Sequence, residues 1–252
     1  MRLRDDEYHN LGTAWFLVCF QRQVRPSGRP PLCQNRFITM TIQIKTLLVD
    51  VGQVLVALDY PAALRRIMQY TCLTADEISR RMSGHQAVLL YESGKLPTQR
   101  FYEIISRLLE MQVSLEDFKR GWGYIFALPS PDGRCISARL FRELKRHYRM
   151  VALSNTNEMH WEYLESVFPL IHEFDDYVLS FRVGTMKPDP SIYRTALACA
   201  GCTPAEVLFI DDLPVNIQAA GELGIRGILY QDEAQLRAEL LRLGLLEPAT
   251  QH

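Results

Sequence analysis

The chain has 252 residues, 48% of them hydrophobic and 23% charged, enough for one α/β domain with a small insert or two small domains. Its 28 basic and 29 acidic residues leave a formal net charge of −1, so no basic field favours nucleic acid as a partner. No apolar run approaches the roughly 20 residues needed to span a bilayer, which leaves no membrane partner to expect.

Residues 1–39 show no helical or strand period, and Arg25-Pro-Ser-Gly-Arg-Pro-Pro31 is linker chemistry. The apolar patch Ala14–Phe20 is short and preceded by Asp5, Asp6 and Glu7, the wrong charge for a signal peptide. The segment reads as a disordered tail, or as a mis-assigned start with translation beginning at Met40. A cytoplasmic location is expected. The six cysteines are scattered, which suits reduced thiols, and Cys199-Ala-Gly-Cys202 matches a redox pair in spacing only. Gly201 there reads as a helix stop, at the dipole end that raises a thiol pKa.

From Lys45 the pattern sharpens. Thr46-Leu-Leu-Val-Asp50 is a short apolar run ending in a carboxylate, as in a buried parallel strand. From Asp59 to about Pro131 the chain reads as helices only, including Pro61–Tyr70, Ala75–Arg81, Pro97–Leu109 and Leu115–Phe126, closed by the breakers Leu128-Pro-Ser-Pro-Asp-Gly133. Strand-like runs follow at Met150–Ser154, Tyr177–Ser180, Val207–Asp211 and Gly227–Tyr230, with helices expected over 133–147, 157–167, 190–200 and 214–223. The expected fold is α/β: a doubly wound, Rossmann-like parallel sheet with a small all-helical cap inserted after the first strand. The expected boundaries are 40–58 and 130–252 for the core and 59–129 for the cap.

Ligands of such sheets sit at the carboxyl ends of the strands. Those ends carry Asp50, Ser154 with Asn155, and Asp211 with Asp212, while Lys187 lies in the loop Gly184-Thr-Met-Lys-Pro188. Singly, each has an ordinary explanation. Asp50, two residues ahead of Gly52, suits a turn, Ser154, Asn155 and Asp212 suit helix caps, and a lone lysine is usually solvated. Together, at successive strand ends, they are an improbable coincidence.

Leu47-Leu-Val-Asp-Val-Gly-Gln-Val-Leu-Val56, Leu153-Ser-Asn-Thr-Asn157, Lys187-Pro188 and Leu208–Ala220 resemble the four ordered motifs of haloacid dehalogenase-like hydrolases. The likeness covers about residues 45 to 232 and is nearest to the branch of bacterial sugar phosphatases that includes α-D-glucose-1-phosphate phosphatase. Tyr91-Glu-Ser-Gly-Lys-Leu-Pro97 resembles a cap turn of that branch. The resemblance implies a nucleophile at Asp50, and magnesium held by Asp50, the Gly52 carbonyl and Asp212, with Asp211 beside it directly or through water. It further implies phosphoryl oxygens held by Ser154 and the backbone of Asn155, with Lys187 bridging Asp50 and the phosphate. The implied partner is a small phosphorylated metabolite; oligomeric state is left open. Charge favours the same metal: at ~4 Å and an effective dielectric near 20, each pair of like charges repels by roughly 4 kcal/mol. A hard divalent ion with oxygen ligands offsets that.

The pattern breaks at Gly52, where most phosphatases of the superfamily carry the aspartate that protonates the leaving oxygen. Asn216 likewise stands where many relatives have an acid. No histidine, whether His85, His147, His160 or His172, is placed by a motif to supply the proton, so the acid-base role is unassigned. An enzyme lacking that group would depend steeply on the acidity of the leaving alcohol. Rival readings are a phosphate-binding protein with little turnover, a metal-independent 2-haloacid dehalogenase and a phospho-acceptor receiver domain. The acidic pair on the fourth core strand speaks against the last two.

Overall fold

The structure, a computed structural model, describes residues 43–123, 125–128, 130 and 133–247; the tail over 1–39 and Met40 lie outside them. Its centre is a five-stranded sheet of β1 (Thr46–Val49), β4 (Arg149–Ser154), β5 (Asp176–Leu179), β6 (Val207–Asp211) and β7 (Arg226–Leu229). The order is β5-β4-β1-β6-β7, and all four pairings are parallel. The three inner strands, β4, β1 and β6, are apolar on both faces because both faces are covered. In β1, Leu47 and Val49 enter one core layer while Leu48 enters the other, the alternation a pleated strand imposes. The chain leaves β1 for β4 on one side and returns to β6 on the other, which puts the topological switch outside the carboxyl end of β1.

Between β2 (Ala57–Leu58) and β3 (Phe126–Ala127) lie α1 (Tyr60–Ile67), α2 (Ala75–Met82), α3 (Gln86–Glu92), α4 (Thr98–Leu108) and α5 (Leu115–Gly123). Local chemistry starts them well: Thr74 and Glu77 close a capping box ahead of α2, and Asp59 accepts from Ala62 N at 2.8 Å ahead of α1. These helices have their own core around Phe101, which is fully buried and lies 4.2 Å from Tyr91, 5.1 Å from Trp122 and 6.2 Å from Phe118, centroid to centroid. This is the helical cap.

The expectation of helices only in this stretch needs correcting at its edge. β2 and β3 pair antiparallel, Ala57 with Ala127 and Leu58 with Phe126. The two crossings between cap and core run side by side, and pairing satisfies their backbone groups. Helix α5 accordingly stops at Gly123, short of Phe126. Helix α3 falls in the stretch expected to be helical, without bounds of its own there, and a last helix, Glu233–Arg242, lies beyond the expected elements; α6 (Ala138–Lys145) starts later than 133, where Ser137 accepts from Leu140 N at 3.2 Å.

The cap is fastened to the core. Met159, in α7 (Glu158–Val167), packs into the cap cluster, and its N–H donates to the Tyr91 hydroxyl at 3.2 Å. Gly94, two residues past α3, has φ +66, and a Cβ there would fall 1.9 Å from the Phe181 carbonyl oxygen. Only glycine allows that approach.

Cysteines 72, 199 and 202 are free among the described residues. Gly201 ends its helix in the left-handed conformation with φ 63, and burial raises the Cys199 thiol.

Candidate active site

The ordinary explanations for Ser154, Asn155, Asp212 and Lys187 fail one by one in the structure. The N-cap of α7 is Asn157, which accepts from His160 N at 3.1 Å, so neither Ser154 nor Asn155 is spent on that helix. Helix α10 (Pro214–Glu222) begins after Leu213, not Asp212. Lys187, between α8 (Ser180–Val183) and α9 (Pro190–Ala200), is 3% exposed, far from a solvated surface lysine.

The lysine is buried because two carboxylates receive it. Its Nζ lies 2.9 Å from Asp50 Oδ1 and 2.7 Å from Asp211 Oδ2. A buried ammonium survives only when so paired. Its backbone is fixed as well: Asn155 Oδ1 accepts from Lys187 N at 2.7 Å, and Asn155 Nδ2 donates to Lys187 O at 2.8 Å. Asp211 is fully buried and fully engaged, accepting from Leu213 N at 2.8 Å and from Asn216 Nδ2 at 3.0 and 3.1 Å besides Lys187. Asn216 thereby has a use as a donor where an acid would repel.

Asp50, Asp211 and Asp212 bring carboxylate oxygens within 4.8 Å of one another. Burial pushes the Asp50 carboxyl up; Lys187 pulls it down, and Asp211 and Asp212 push it up again, for a net rise. Asp212 is raised by burial and then by Asp211. On Lys187, burial opposes the charge, but Asp211 and Asp50 outweigh it and hold the ammonium above its ordinary value. The site thus carries more negative charge than one lysine offsets. Hard oxygen donors in that number suit a divalent ion such as magnesium.

Around this centre, the Ser154 hydroxyl, at the end of β4 and 4% exposed, has no hydrogen-bond partner among the described residues. Gly52 stands two residues beyond Asp50 in a tight turn where Gln53, at φ 58, donates through its N–H to Val56 O. The structure therefore gathers Asp50, Gly52, Ser154, Asn155, Lys187, Asp211 and Asp212 at one end of the sheet. Sequence reasoning missed the side-chain brace of Asn155 on Lys187, for which the only signal was an amide next to Ser154.

The sequence pattern of the haloacid dehalogenase-like hydrolases matches residues 135–224. A D-ribitol-5-phosphate phosphatase of Bacteroides thetaiotaomicron is 30% identical over 205 residues, covering 78% of this chain and 97% of its own length. The chain is a haloacid dehalogenase-like hydrolase. A crystal structure of the family enzyme bt-2542 of Bacteroides thetaiotaomicron, in complex with magnesium and inorganic phosphate, superposes with a TM-score of 0.66 at 27% identity, covering 77% of this hydrolase and 98% of that chain. A predicted HAD-like family hydrolase of Porphyromonas gingivalis superposes with the same score at 26% identity, covering 80% and 98%. This hydrolase is an enzyme of the phosphoric monoester class to which its full-length relative belongs. No helix among its described residues is long and apolar enough to cross a membrane.

Proposed function

We propose that this hydrolase is a magnesium-dependent phosphatase that splits a small phosphomonoester, a sugar or polyol phosphate, through a phospho-aspartyl intermediate on Asp50. The observation that carries the reading is the buried Lys187 ammonium clamped between Asp50 and Asp211 at adjacent strand ends. The hydrogen bond from Val51 N and the contact with Lys187 both fall on Asp50 Oδ1, which leaves Oδ2 for attack on phosphorus. In-line attack forms the Oδ2–P bond as the ester P–O bond breaks; water then releases phosphate and frees Asp50.

Asp50, the Gly52 carbonyl and Asp212 would hold the ion. Asp211, with both oxygens already bonded, would stand beside it. When bound, magnesium supplies charge neutralisation for the transferring phosphoryl group. The Ser154 hydroxyl and the Asn155 backbone would take the phosphoryl oxygens, and Lys187 would span Asp50 and the phosphate. The relative named for D-ribitol 5-phosphate and the neighbour crystallised with magnesium and phosphate support both substrate class and metal. A metal-independent dehalogenase gains nothing from three clustered carboxylates, and the likeness to the L-2-haloacid dehalogenase of Xanthobacter autotrophicus, at 20% identity, is one of fold.

The test is phosphate release from a panel of sugar and polyol phosphates, with magnesium and with a chelator. Release that needs magnesium and vanishes in Asp50→Asn is expected. Phosphate binding without any release would make the protein a binder instead.

A further inference from the structure

Residue 52 lacks a carboxyl, yet nothing in the backbone demands glycine there. Its φ lies outside the left-handed region, and a Cβ would meet only Leu58, at 3.4 Å from Cδ1. The proton on the leaving oxygen must come from elsewhere in the site.

Glu92, the last residue of α3, meets the requirements of position. Its carbonyl oxygen lies 2.6 Å from the Ser180 hydroxyl, which accepts from Thr156 N at 2.9 Å. Thr156 is two residues past Ser154, so the backbone of Glu92 is tied beside the proposed phosphate seat. The close approach of Gly94 to the Phe181 carbonyl holds the same turn from its far side. Tyr60, at the start of α1, links the two: its hydroxyl is raised first by burial, then by Glu92, and then by Asp212 and Asp50, so it lies within electrostatic reach of both Glu92 and the acidic cluster. Glu92 is half-buried as a residue, and its carboxyl has no hydrogen bond among the described residues. Burial pushes it up to about 7, where a carboxyl both gives and takes a proton near neutrality.

Resting on the phosphatase reading above, we propose that Glu92 of the cap is the general acid and base of this enzyme, in place of the carboxyl absent at residue 52. In the first half-reaction Asp50 Oδ2 bonds to phosphorus, the ester P–O bond breaks towards the departing oxygen, and the protonated Glu92 gives that oxygen its proton. The alcohol leaves and Glu92 is a carboxylate. In the second, Glu92 takes a proton from water as the water oxygen bonds to phosphorus. The P–O bond to Asp50 breaks towards its carboxylate, phosphate leaves and Glu92 is protonated again. The steep leaving-group dependence expected from Gly52 alone then belongs to an enzyme stripped of Glu92.

The experiment uses the full chain with magnesium, 4-nitrophenyl phosphate, whose phenolate leaves unprotonated, and glycerol 2-phosphate, whose alkoxide does not. In Glu92→Gln, turnover of the glycerol ester should fall about 10²–10⁴-fold. Nitrophenolate should still appear in a first-turnover burst near the wild-type rate, followed by a stall with phosphate left on Asp50. Glu92→Asp should recover part of the loss, as should Gly52→Asp placed in the Glu92→Gln background. Equal slowing of both esters without a burst, in a variant that melts like wild type, would overturn the proposal, as would a steep leaving-group dependence in the wild type. Failure of the phosphatase reading looks different: the wild type itself would release no phosphate, or Asp50→Asn would keep the burst.

Discussion

The side chain of Asn155 closes a ring of two hydrogen bonds on the backbone of Lys187, accepting at 2.7 Å and donating at 2.8 Å. Thirty-odd residues of chain separate them, and this contact sets where the ammonium stands between Asp50 and Asp211. Asn155→Ala leaves Lys187 N and O unpaired in a part-buried place, a cost of about 1–3 kcal/mol. Its kcat should fall about 10–10²-fold through misplacement of Lys187, with a smaller change in KM. Steady-state kinetics and a melting curve check both numbers.

Asp50→Asn removes the proposed nucleophile at nearly constant volume. Phosphate release should fall to background while the circular dichroism spectrum stays that of the wild type. Asp212→Asn, which leaves the Lys187 contacts in place, should instead raise the magnesium concentration needed for half-maximal activity, measured by titration. Near-normal turnover in Asp50→Asn would exclude a covalent step on that residue.

Two glycines with positive φ separate strain from collision. Gly184 has φ +78 and open space where a Cβ would go, so Gly184→Ala should cost about 1–2 kcal/mol, the ordinary price of a left-handed alanine. Gly94 has φ +66 and the Phe181 carbonyl oxygen 1.9 Å from its Cβ position, so Gly94→Ala carries the same strain plus displacement of the cap turn. Its melting temperature should drop well below that of Gly184→Ala, and activity should drop with it because the turn carries Glu92.

Burial raises Glu92 from an ordinary value of 4.5 to about 7. Between those values the folded protein holds a proton the unfolded chain has lost, so stability from this group is complete below 4.5 and is lost as pH rises through about 7. At about 1.4 kcal/mol per unit the loss is at most about 3.5 kcal/mol. Glu92→Gln keeps a neutral side chain throughout. Its melting temperature relative to wild type should therefore be higher at pH 8 than at pH 4.5, a difference read directly from paired thermal melts.

Strand-end chemistry was legible because it is local. Thr46–Asp50, Met150–Ser154 and Val207–Asp211 are short apolar runs ending in polar groups, and the sheet needs only that pattern, with helices between, to bring the ends together. The cap was legible for the same reason, since a helical stripe such as Phe101, Ile105 and Leu109 repeats within one turn or two. β2 and β3 were not, because a two-residue ladder has no period to read. The helix Glu233–Arg242 was missed although Asp232 caps it by accepting from Gln235 N at 2.7 Å.

By itself, then, the amino-acid sequence determined the family, the α/β order of elements and the acidic residues at the strand ends, all of which follow from neighbours along the chain. Tertiary structure alone decided what those residues do to one another. That Lys187 is buried between two carboxylates, that Asn155 braces it and that Asn216 supports Asp211 are contacts between segments far apart in sequence. The same holds for Glu92, whose carbonyl meets the Ser180 hydroxyl across 88 positions. No local period encodes such a meeting; it exists only once cap and core have packed, because burial and hydrogen bonding choose partners by distance in space.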